Sequence, residues 1–433
     1  MNPIFNEYIT FLRDASGENL SDLQEGYFWI DRQIVKGFDK QGNTHKFYRI
    51  NISDSLEVSV NRPNNSYEDI EYIELASWED LIEMNKSHLE NIENEAKELI
   101  RDKMNKYREY IPLVPVSMGK DSMVTCHLVR ECFPNTKAIF NNTTLDCADV
   151  YKAAKKFPNC EIMTPNRGFY QCIKEKNMIF TRISRACCSI FKSGEMVKRL
   201  NHDTPYLMFM GMRNEESNVR KGYEDEWVNT AEWGKTNWQG ILPIRKWSEL
   251  DIWLYMLYRN IPINSKYKKG YSRVGCAICC PFSGKSTWIL DKYWYPKMRQ
   301  RWETILKNDF INNSKWLVLN CTLDEYINQA WSGGVFREQP TNEVVREYAE
   351  YNGLSENIAA KYFNKYCAND CRTQSGRLKR IKSKDVIAMN MKLHGRNVDK
   401  FYCKNCLMRR YDMDNEKWDK EIERFKQQGC DLF

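Results

Sequence analysis

Histidine is scarce in this sequence, and long hydrophobic runs are missing. The five histidines include no two at helical ligand spacing, which argues against a histidine-based zinc hydrolase or a Ser-His-Asp enzyme. The apolar stretch from Tyr206 to Met212 is too short to span a membrane. Residues 1–20 carry acidic and polar side chains where a signal peptide needs an apolar core. We therefore expect a cytoplasmic protein without a membrane segment.

Cysteine, by contrast, is abundant, with 16 residues. A long cytosolic chain keeps its thiols reduced, so metal binding or catalysis explains grouped cysteines better than disulfides do. Isolated cysteines are interpreted as small core residues. The grouped cysteines are Cys187 with Cys188, Cys276 with Cys279 and Cys280, Cys367 with Cys371, and Cys403 with Cys406.

The length of 433 residues exceeds that of one hydrophobic core, so several domains are expected. Strands alternate with helices in the middle of the chain, which predicts an α/β fold with a parallel sheet and a ligand beyond the carboxyl ends of its strands. The predicted segments are a small β-rich N-terminal region at 1–75, a linking helix at 76–110, the α/β nucleotide-binding domain at 111–285, a helical extension at 286–350 and a basic module with cysteine pairs at 351–433.

A tight turn, Ser117-Met118-Gly119-Lys120-Asp121-Ser122, joins the first strand of that domain to its first helix. Backbone N–H groups at such a helix start favour phosphate. Lys120 adds a positive charge, Ser117 and Ser122 can donate hydrogen bonds, and Asp121 could cap the helix or help hold Mg²⁺. The alternative is an ordinary capped helix start with a glycine turn.

With two later segments, this turn resembles the PP-loop adenine-nucleotide α-hydrolases, and specifically the phosphoadenosine phosphosulfate reductase family. The family loop reads Ser-Gly-Gly-Lys-Asp-Ser, and Met118 stands where its first glycine is usual. The segment from Asn142 to Asp146 resembles the family's Asp-Thr-Gly-x-Glu. The segment from Gly211 to Arg220 resembles Gly-x-Arg-x-x-Glu-Ser-x-x-Arg.

The resemblance implies a Rossmann-like sheet of the adenine-nucleotide α-hydrolase type that binds ATP or a sulfonucleotide. Arg213 and Arg220 could bind phosphate or sulfate bidentately; the alternative is a solvated charged loop. The implied nucleotide-binding residues are Ser117, Gly119, Lys120, Asp121, Ser122, Asn142, Thr143, Gly211, Arg213, Glu216 and Ser217. The implied catalytic residues are Lys120, Lys192, Arg213 and Arg220.

The Cys187-Cys188 pair and Cys276-Ala-Ile-Cys279 together offer four thiolates, which suit Zn²⁺ or a [4Fe-4S] cluster. Spacing does not choose between the two metals, and the pair could also be buried and unrelated to the CxxC. The resemblance to adenylyl-sulfate reductases implies a [4Fe-4S] cluster, with Lys192 between the cluster and the substrate. Cys280 is an additional thiol.

Cys367, Cys371, Cys403 and Cys406 form two further pairs that suit structural zinc; the alternative is scattered thiols. Residues 372–410 hold twelve Lys/Arg and two Asp, a net charge of +10. Such a patch could bind DNA or RNA, or it could be a solvated face.

Three functions remain open from the sequence. A sulfonucleotide reductase would need an electron donor and a nucleophilic cysteine, but the family's Glu-Cys-Gly-Leu/Ile-His segment is missing and the neighbours of Cys430 do not match it. An ATP pyrophosphatase-like enzyme of a nucleic-acid sulfur-modification system would cleave ATP between the α and β phosphates and so activate an oxygen for sulfur insertion, with a sulfur donor protein as partner. A non-catalytic sensor of nucleotide or redox state is the third function.

Overall fold

The computed structural model describes residues 1–433 apart from 54, 63–66, 177–178, 182–185, 230–232, 235, 279–283, 329, 333–336, 338, 375, 396–397, 429 and 431. The strands are β1 (Asn2–Pro3), β2 (Phe28–Asp31), β3 (Ile34–Phe38), β4 (Thr44–Ile52), β5 (Val58–Asn61), β6 (Ile111–Val116), β7 (Lys137–Asn141), β8 (Cys160–Met163), β9 (Tyr206–Phe209), β10 (Glu226–Trp227), β11 (Trp238–Ile241), β12 (Lys365–Tyr366) and β13 (Arg380–Ile381).

The α-helices are α1 (Asn6–Ser16), α2 (Trp78–Lys106), α3 (Lys120–Cys132), α4 (Ala148–Lys156), α5 (Phe169–Lys176), α6 (Gly194–Arg199), α7 (Glu249–Tyr258), α8 (Ser265–Lys268), α9 (Lys285–Trp294), α10 (Pro296–Asn312), α11 (Lys315–Leu319), α12 (Leu323–Asn328), α13 (Asn342–Asn352), α14 (Glu356–Ala359), α15 (Lys384–His394), α16 (Lys404–Arg410) and α17 (Asn415–Gln427). A π-helical turn, Cys188–Ser193, precedes α6. No helix in the described ranges is long and apolar enough to cross a membrane.

The chain forms two compact units, which are described separately. The first contains residues 1–180 and 184–299, and the second contains 181–183 and 300–433. The segment boundaries expected from the sequence stay a prediction.

An antiparallel sheet of five strands, in the order β1-β2-β3-β4-β5, begins the first unit. Alternation explains its burial: in β5, Val58 and Val60 are buried while Ser59 and Asn61 are exposed. The inward side chains pack with Phe28, Phe47 and residues of α1 in one hydrophobic cluster. This sheet is the predicted small β-rich N-terminal region.

A six-stranded sheet, in the order β10-β11-β9-β6-β7-β8, forms the rest of the core of the first unit. All its neighbouring strands are parallel except β10, which pairs antiparallel with β11. The central strand β6 reads Ile-Pro-Leu-Val-Pro-Val, and its two prolines each lie one residue from an end of the strand. Because proline cannot donate to a ladder, Pro112 and Pro115 each remove one N–H donor from the pairing of this strand.

Local sequence explains where the helices beside this sheet begin. Ser77 and Asp80 form a reciprocal capping box at the start of α2, and Ser248 and Asp251 do the same for α7. The helix α3 starts directly after β6, so its N-terminus faces the carboxyl edge of the sheet. The predicted α/β fold class is therefore confirmed, while the position of a ligand at this edge stays a prediction.

The second unit is mostly helical, with aromatic residues in its core. Trp302 packs edge-to-face on Trp331 with 5.4 Å between ring centroids, and Trp316 packs similarly on Phe310 at 4.4 Å. Its only strands among the described residues are β12 and β13, two residues each. Four cysteines lie close together beside them.

Candidate functional site

The turn between β6 and α3 is shaped by its own backbone and hydroxyl groups. The N–H of Ser117 donates to Ser122 Oγ at 3.2 Å, and Ser122 Oγ donates to the Gly119 carbonyl at 2.9 Å. Met118, which is buried, has φ = 58°, a left-handed conformation that normally favours glycine. The turn thus has the backbone that a glycine would adopt, although a methionine occupies this position.

Lys120 is the buried cation of this turn. Its N–H donates to the hydroxyl oxygen of Tyr267 at 3.0 Å, while its Nζ lies 3.3 Å from Asp121 and 3.4 Å from Glu249. Burial lowers the pKa of Lys120, but Tyr267, Asp121 and Glu249 outweigh this and hold the pKa above its usual value. Lys120 is therefore charged at neutral pH.

Arg213 follows β9 and reaches across to the same turn. Its Nε donates to Asp121 at 2.5 Å, and its guanidinium also binds Glu215 and the Trp247 carbonyl. Burial raises the pKa of Asp121, but Lys120 and Arg213 outweigh it and leave the pKa lower than usual. The two predicted segments are therefore joined by a partly buried ion pair.

A close backbone approach brings these segments together. A Cβ at Gly211 would lie only 2.7 Å from the carbonyl oxygen of Asp121. Any side chain at this position would thus push the end of β9 away from the start of α3, which explains why glycine is needed here.

A cavity of about 590 Å³ opens between these segments. The site residues predicted from the sequence that line this cavity are Ser117, Gly119, Lys120, Asp121, Ser122, Gly211, Arg213, Glu216 and Arg220. Three predicted nucleotide-binding residues, Asn142, Thr143 and Ser217, are described by the structure but do not line it. The volume suits a small ligand such as a nucleotide.

Sequence reasoning missed several residues of this cavity. Glu249 and Tyr267 both contact Lys120, and Arg273 also lines the cavity. Glu249 lies in the segment 247–257 and Tyr267 begins the segment 267–270, which also resemble the family, and this was the available signal. Nothing local marked either side chain as a partner of Lys120.

The loop after β7 is ordered by its own side chains. Asp146 accepts hydrogen bonds from the N–H and the hydroxyl of Thr143, at 2.8 and 2.9 Å. Asn142 accepts from the N–H of Thr144 at 2.9 Å. Burial raises the pKa of Asp146, and the charges of Lys266 and Lys192 oppose this rise. The positive charges of Lys266 and Lys192 thus act on this loop.

Three of the four cysteines predicted to hold the iron–sulfur cluster are described, and Cys279 lies outside the described residues, as does Cys280. Cys187 and Cys276 are half-buried and Cys188 is exposed. The π-helical turn that starts at Cys188 packs against β7, and the N–H of Ala277, next to Cys276, donates to the Leu145 carbonyl at 3.0 Å. Both cysteine segments thus contact β7 or the loop that follows it.

The backbone around the CxxC segment is held by a buried carboxylate. Asp291 accepts from the Tyr271 hydroxyl at 2.7 Å and from the N–H of Ile278 at 3.1 Å. Ile278 has φ = 57°, which is strained for a β-branched residue. Burial raises the pKa of Asp291. This carboxylate was not singled out from the sequence.

In the second unit, Cys367, Cys371, Cys403 and Cys406 are brought together as predicted. Their sulfur atoms all lie within 4.8 Å of one another. The group could hold a metal ion or cluster.

The part of the chain that forms most of the cavity is also similar to known proteins. Residues 111–281 match the model of the phosphoadenosine phosphosulfate reductase domain. An uncharacterized protein of Methanocaldococcus jannaschii, MJ0973, is 28% identical over 235 residues, which cover 53% of this chain and 56% of that protein. The adenosine 5'-phosphosulfate reductase of Bacillus mycoides is 26% identical over 204 residues, 45% of this chain and 83% of the relative.

The chain spans about half the length of the two Methanocaldococcus jannaschii relatives it matches. Among solved structures, the phosphoadenylyl-sulfate reductase of Candida auris covers 44% of this chain and 94% of its own, with 16% identity and a TM-score of 0.34. The U34-tRNA thiolase NcsA of Methanococcus maripaludis, solved with its [4Fe-4S] cluster, covers 52% and 80%, with 12% identity and a TM-score of 0.30. The family-model match and the sequence relatives agree, and residues 111–281 belong to the phosphoadenosine phosphosulfate reductase domain family.

Proposed function

We propose that this chain is an enzyme of sulfur transfer or reduction that binds an adenine nucleotide, ATP or a sulfonucleotide, in the cavity beside Lys120. The single observation that carries the proposal is the meeting of two cations, Lys120 and Arg213, with the phosphate-type turn at the start of α3. Backbone N–H groups at a helix N-terminus and a bidentate arginine are the donors that bind phosphate or sulfate.

In this proposal, different residues of the site have different roles. Lys120, Arg213 and Arg220 bind the phosphate or sulfate oxygens and stabilise negative charge that develops there during reaction. Ser117, Gly119 and Ser122 supply donors of the turn, and Gly211, Glu216 and Ser217 hold the arginine loop. Asn142 and Thr143, in the loop after β7, bind the adenosine.

We further propose that Cys187, Cys188, Cys276 and Cys279 hold a [4Fe-4S] cluster close to the nucleotide. The packing of the two described cysteine segments around β7 supports a common ligand. A second supporting feature is positive charge, since Lys192 and the buried Lys266 both act on Asp146 in the adjoining loop. When bound, the cluster would supply an anionic redox centre, and Lys192 would offset its charge on the substrate side.

The carboxylates of the cavity favour a phosphate ligand that carries a metal ion over the bare anion. Asp121, Glu215, Glu216 and Glu249 line the same space as the cations, so a bare polyanion would meet both signs of charge. A Mg²⁺ ion bound by a carboxylate and by phosphate oxygens would remove that repulsion. This supports Mg²⁺–ATP as one substrate.

The second candidate function follows from that preference. The enzyme would cleave ATP between the α and β phosphates, transfer AMP to an acceptor oxygen in a nucleic acid and release pyrophosphate. A nucleophilic, sulfide-level sulfur from a donor protein would then displace AMP, which leaves with that oxygen. The basic module of the second unit favours it. Exposed cations occur throughout the module and form no ion pair within the described residues: Arg372, Arg377, Lys382, Lys400, Arg409 and Arg410.

The test uses the full chain, purified anaerobically. We expect about four irons per chain and calorimetric binding of Mg²⁺–ATP or adenylyl sulfate. Lys120→Met and Arg213→Met should each weaken binding at least about tenfold, because each removes a charged contact worth about 1.5–3 kcal/mol. The control is Lys152→Met, an exposed lysine on α4. Unchanged affinity in both site variants would reject the cavity.

The reaction products then distinguish the candidate functions from one another. Release of sulfite from adenylyl sulfate with a thiol donor identifies a reductase. Release of pyrophosphate from ATP identifies the second candidate, and salt-dependent binding of the full chain to duplex DNA or to RNA supports it further. Binding without either product would reject the enzyme and identify a sensor of nucleotide or redox state.

A further inference from the structure

The four cysteines of the second unit are free thiols spaced more widely than a disulfide allows. Cys371 Sγ lies 3.5 Å from Cys406 Sγ, and Cys367 Sγ lies 3.7 Å from Cys406 Sγ. A disulfide would need about 2.05 Å. All four sulfur atoms lie within 4.8 Å of one another, and three of the four residues are buried. The sulfur atoms therefore surround one common point.

Backbone hydrogen bonds hold the two segments that carry them. The N–H of Cys403 donates to Cys367 Sγ at 3.3 Å, which joins the segments directly. Cys403 also begins α16, and the N–H of Cys406 donates to its carbonyl at 2.9 Å. The N–H of Cys367 donates to Lys379 at 3.1 Å, and the N–H of Lys379 donates to Cys371 at 2.6 Å. The sulfur positions are thus fixed by the chain itself.

The sulfur spacing distinguishes a single ion from a cluster. With Zn–S bonds of about 2.3 Å, a tetrahedral zinc ion holds its four sulfurs about 3.8 Å apart. A [4Fe-4S] cluster places four irons and four sulfides between its cysteine ligands, so those ligands lie further apart than around one ion. The observed distances of 3.5 and 3.7 Å match the single ion.

We propose that Cys367, Cys371, Cys403 and Cys406 bind one zinc ion that organises the second unit around β12, β13 and α16. Four thiolates leave no open coordination position, so the ion is structural and not catalytic. Such a site carries two negative charges, and Arg409 and Arg410 line the same small cavity as Cys371 and Cys406, where they offset it. Zinc in the second unit is independent of the cluster proposed for the first.

Metal analysis of the full chain tests the proposal with paired variants. The wild-type protein should contain about one zinc per chain. Cys406→Ser should lose that zinc and keep its iron, whereas Cys188→Ser should lose iron and keep zinc. Cys430→Ser is the matched control, because Cys430 belongs to the same unit but lies outside the group. Because iron and zinc are counted separately, failure of the cluster proposal leaves this test intact.

Cobalt substitution in the wild-type chain keeps the test decisive even if Cys406→Ser misfolds. Co²⁺ at this site should give the visible absorption of a tetrahedral four-thiolate complex, and added Zn²⁺ should displace it. Cys371→His, which keeps a ligand at the most exposed position of the group, should retain a shifted spectrum. A wild-type chain without zinc, zinc retained in a folded Cys406→Ser variant, or iron lost from that variant would each overturn the proposal.

Discussion

The cavity beside Lys120 and the four-cysteine group are both assembled from distant segments, yet different interactions hold them. The cavity lies at the edge of a six-stranded sheet whose core residues, such as Val114 and Leu207, are fully buried. The cysteine group lies beside two strands of two residues each. A packed sheet can fix a binding site before any ligand arrives, whereas a site beside two such short strands would depend on the ion that we propose there.

Removal of the metal is expected to change stability more than any of the substitutions below, and it tests whether the second unit depends on its ion. A strong chelator at neutral pH should lower the melting temperature of the second unit by at least about 10 °C, because a structural zinc site contributes several kcal/mol to folding. Differential scanning calorimetry of the full chain measures this change, and re-added zinc should restore the transition. An unchanged thermogram after complete removal of zinc would show that the module folds without the ion.

Replacing the buried carboxylate Asp291 should show how strongly the first unit depends on one polar contact. Asp291→Leu leaves the N–H of Ile278 and the hydroxyl of Tyr271 unpaired, and should cost about 1–3 kcal/mol of the free energy of unfolding for each buried group. Urea denaturation measures the loss. Asp291→Asn, which keeps an acceptor oxygen, is the matched control and should lose less. Equal stability of both variants would contradict the role assigned to Asp291.

The Met118→Gly variant distinguishes the effect of the backbone conformation at this position from the effect of the buried methionine side chain. Glycine relieves the left-handed strain, worth about 1–2 kcal/mol, but deletes a buried side chain whose loss costs about 2–5 kcal/mol. We therefore expect a net decrease in stability, measured by urea denaturation, with nucleotide affinity unchanged. Met118→Val should weaken affinity as well, because a β-branched residue resists this conformation. Similar nucleotide affinities for the Met118→Val and Met118→Gly variants would contradict this reasoning.

The smallest effect is expected from a surface network of the first unit. Burial raises the pKa of Glu226, but hydrogen bonds from Lys103, Lys106 and Tyr107 outweigh it and lower the pKa to about 2. A lowered folded-state pKa stabilises the fold above the unfolded-state pKa, and this contribution is lost as the pH falls toward about 2. Glu226→Gln should therefore be less stable than wild type at pH 7, and the difference should narrow at pH 3. A constant difference in urea denaturation would refute the assignment.

Much of the first unit was predictable because its signals are local. The turn at residues 117–122, the strand before it and the helix after it are contiguous, and the predicted Arg213 segment directly follows a strand of the same sheet. Parallel strands bring their carboxyl ends to one edge, so the two segments were expected to meet. The pairs in the second unit were likewise visible from spacing, since each brings two thiols close together along the chain.

What the sequence determined by itself was the type of fold, the turn at residues 117–122 that lines the cavity and the grouping of the cysteines, because each is encoded within a few residues. Only the tertiary structure supplied Tyr267 and Glu249 as partners of Lys120, and Asp291 as the anchor of Ile278. The distances between sulfur atoms of different cysteine pairs were likewise determined only by the tertiary structure. Contacts between distant segments depend on how whole elements pack, and neither periodicity nor spacing within one segment contains that information.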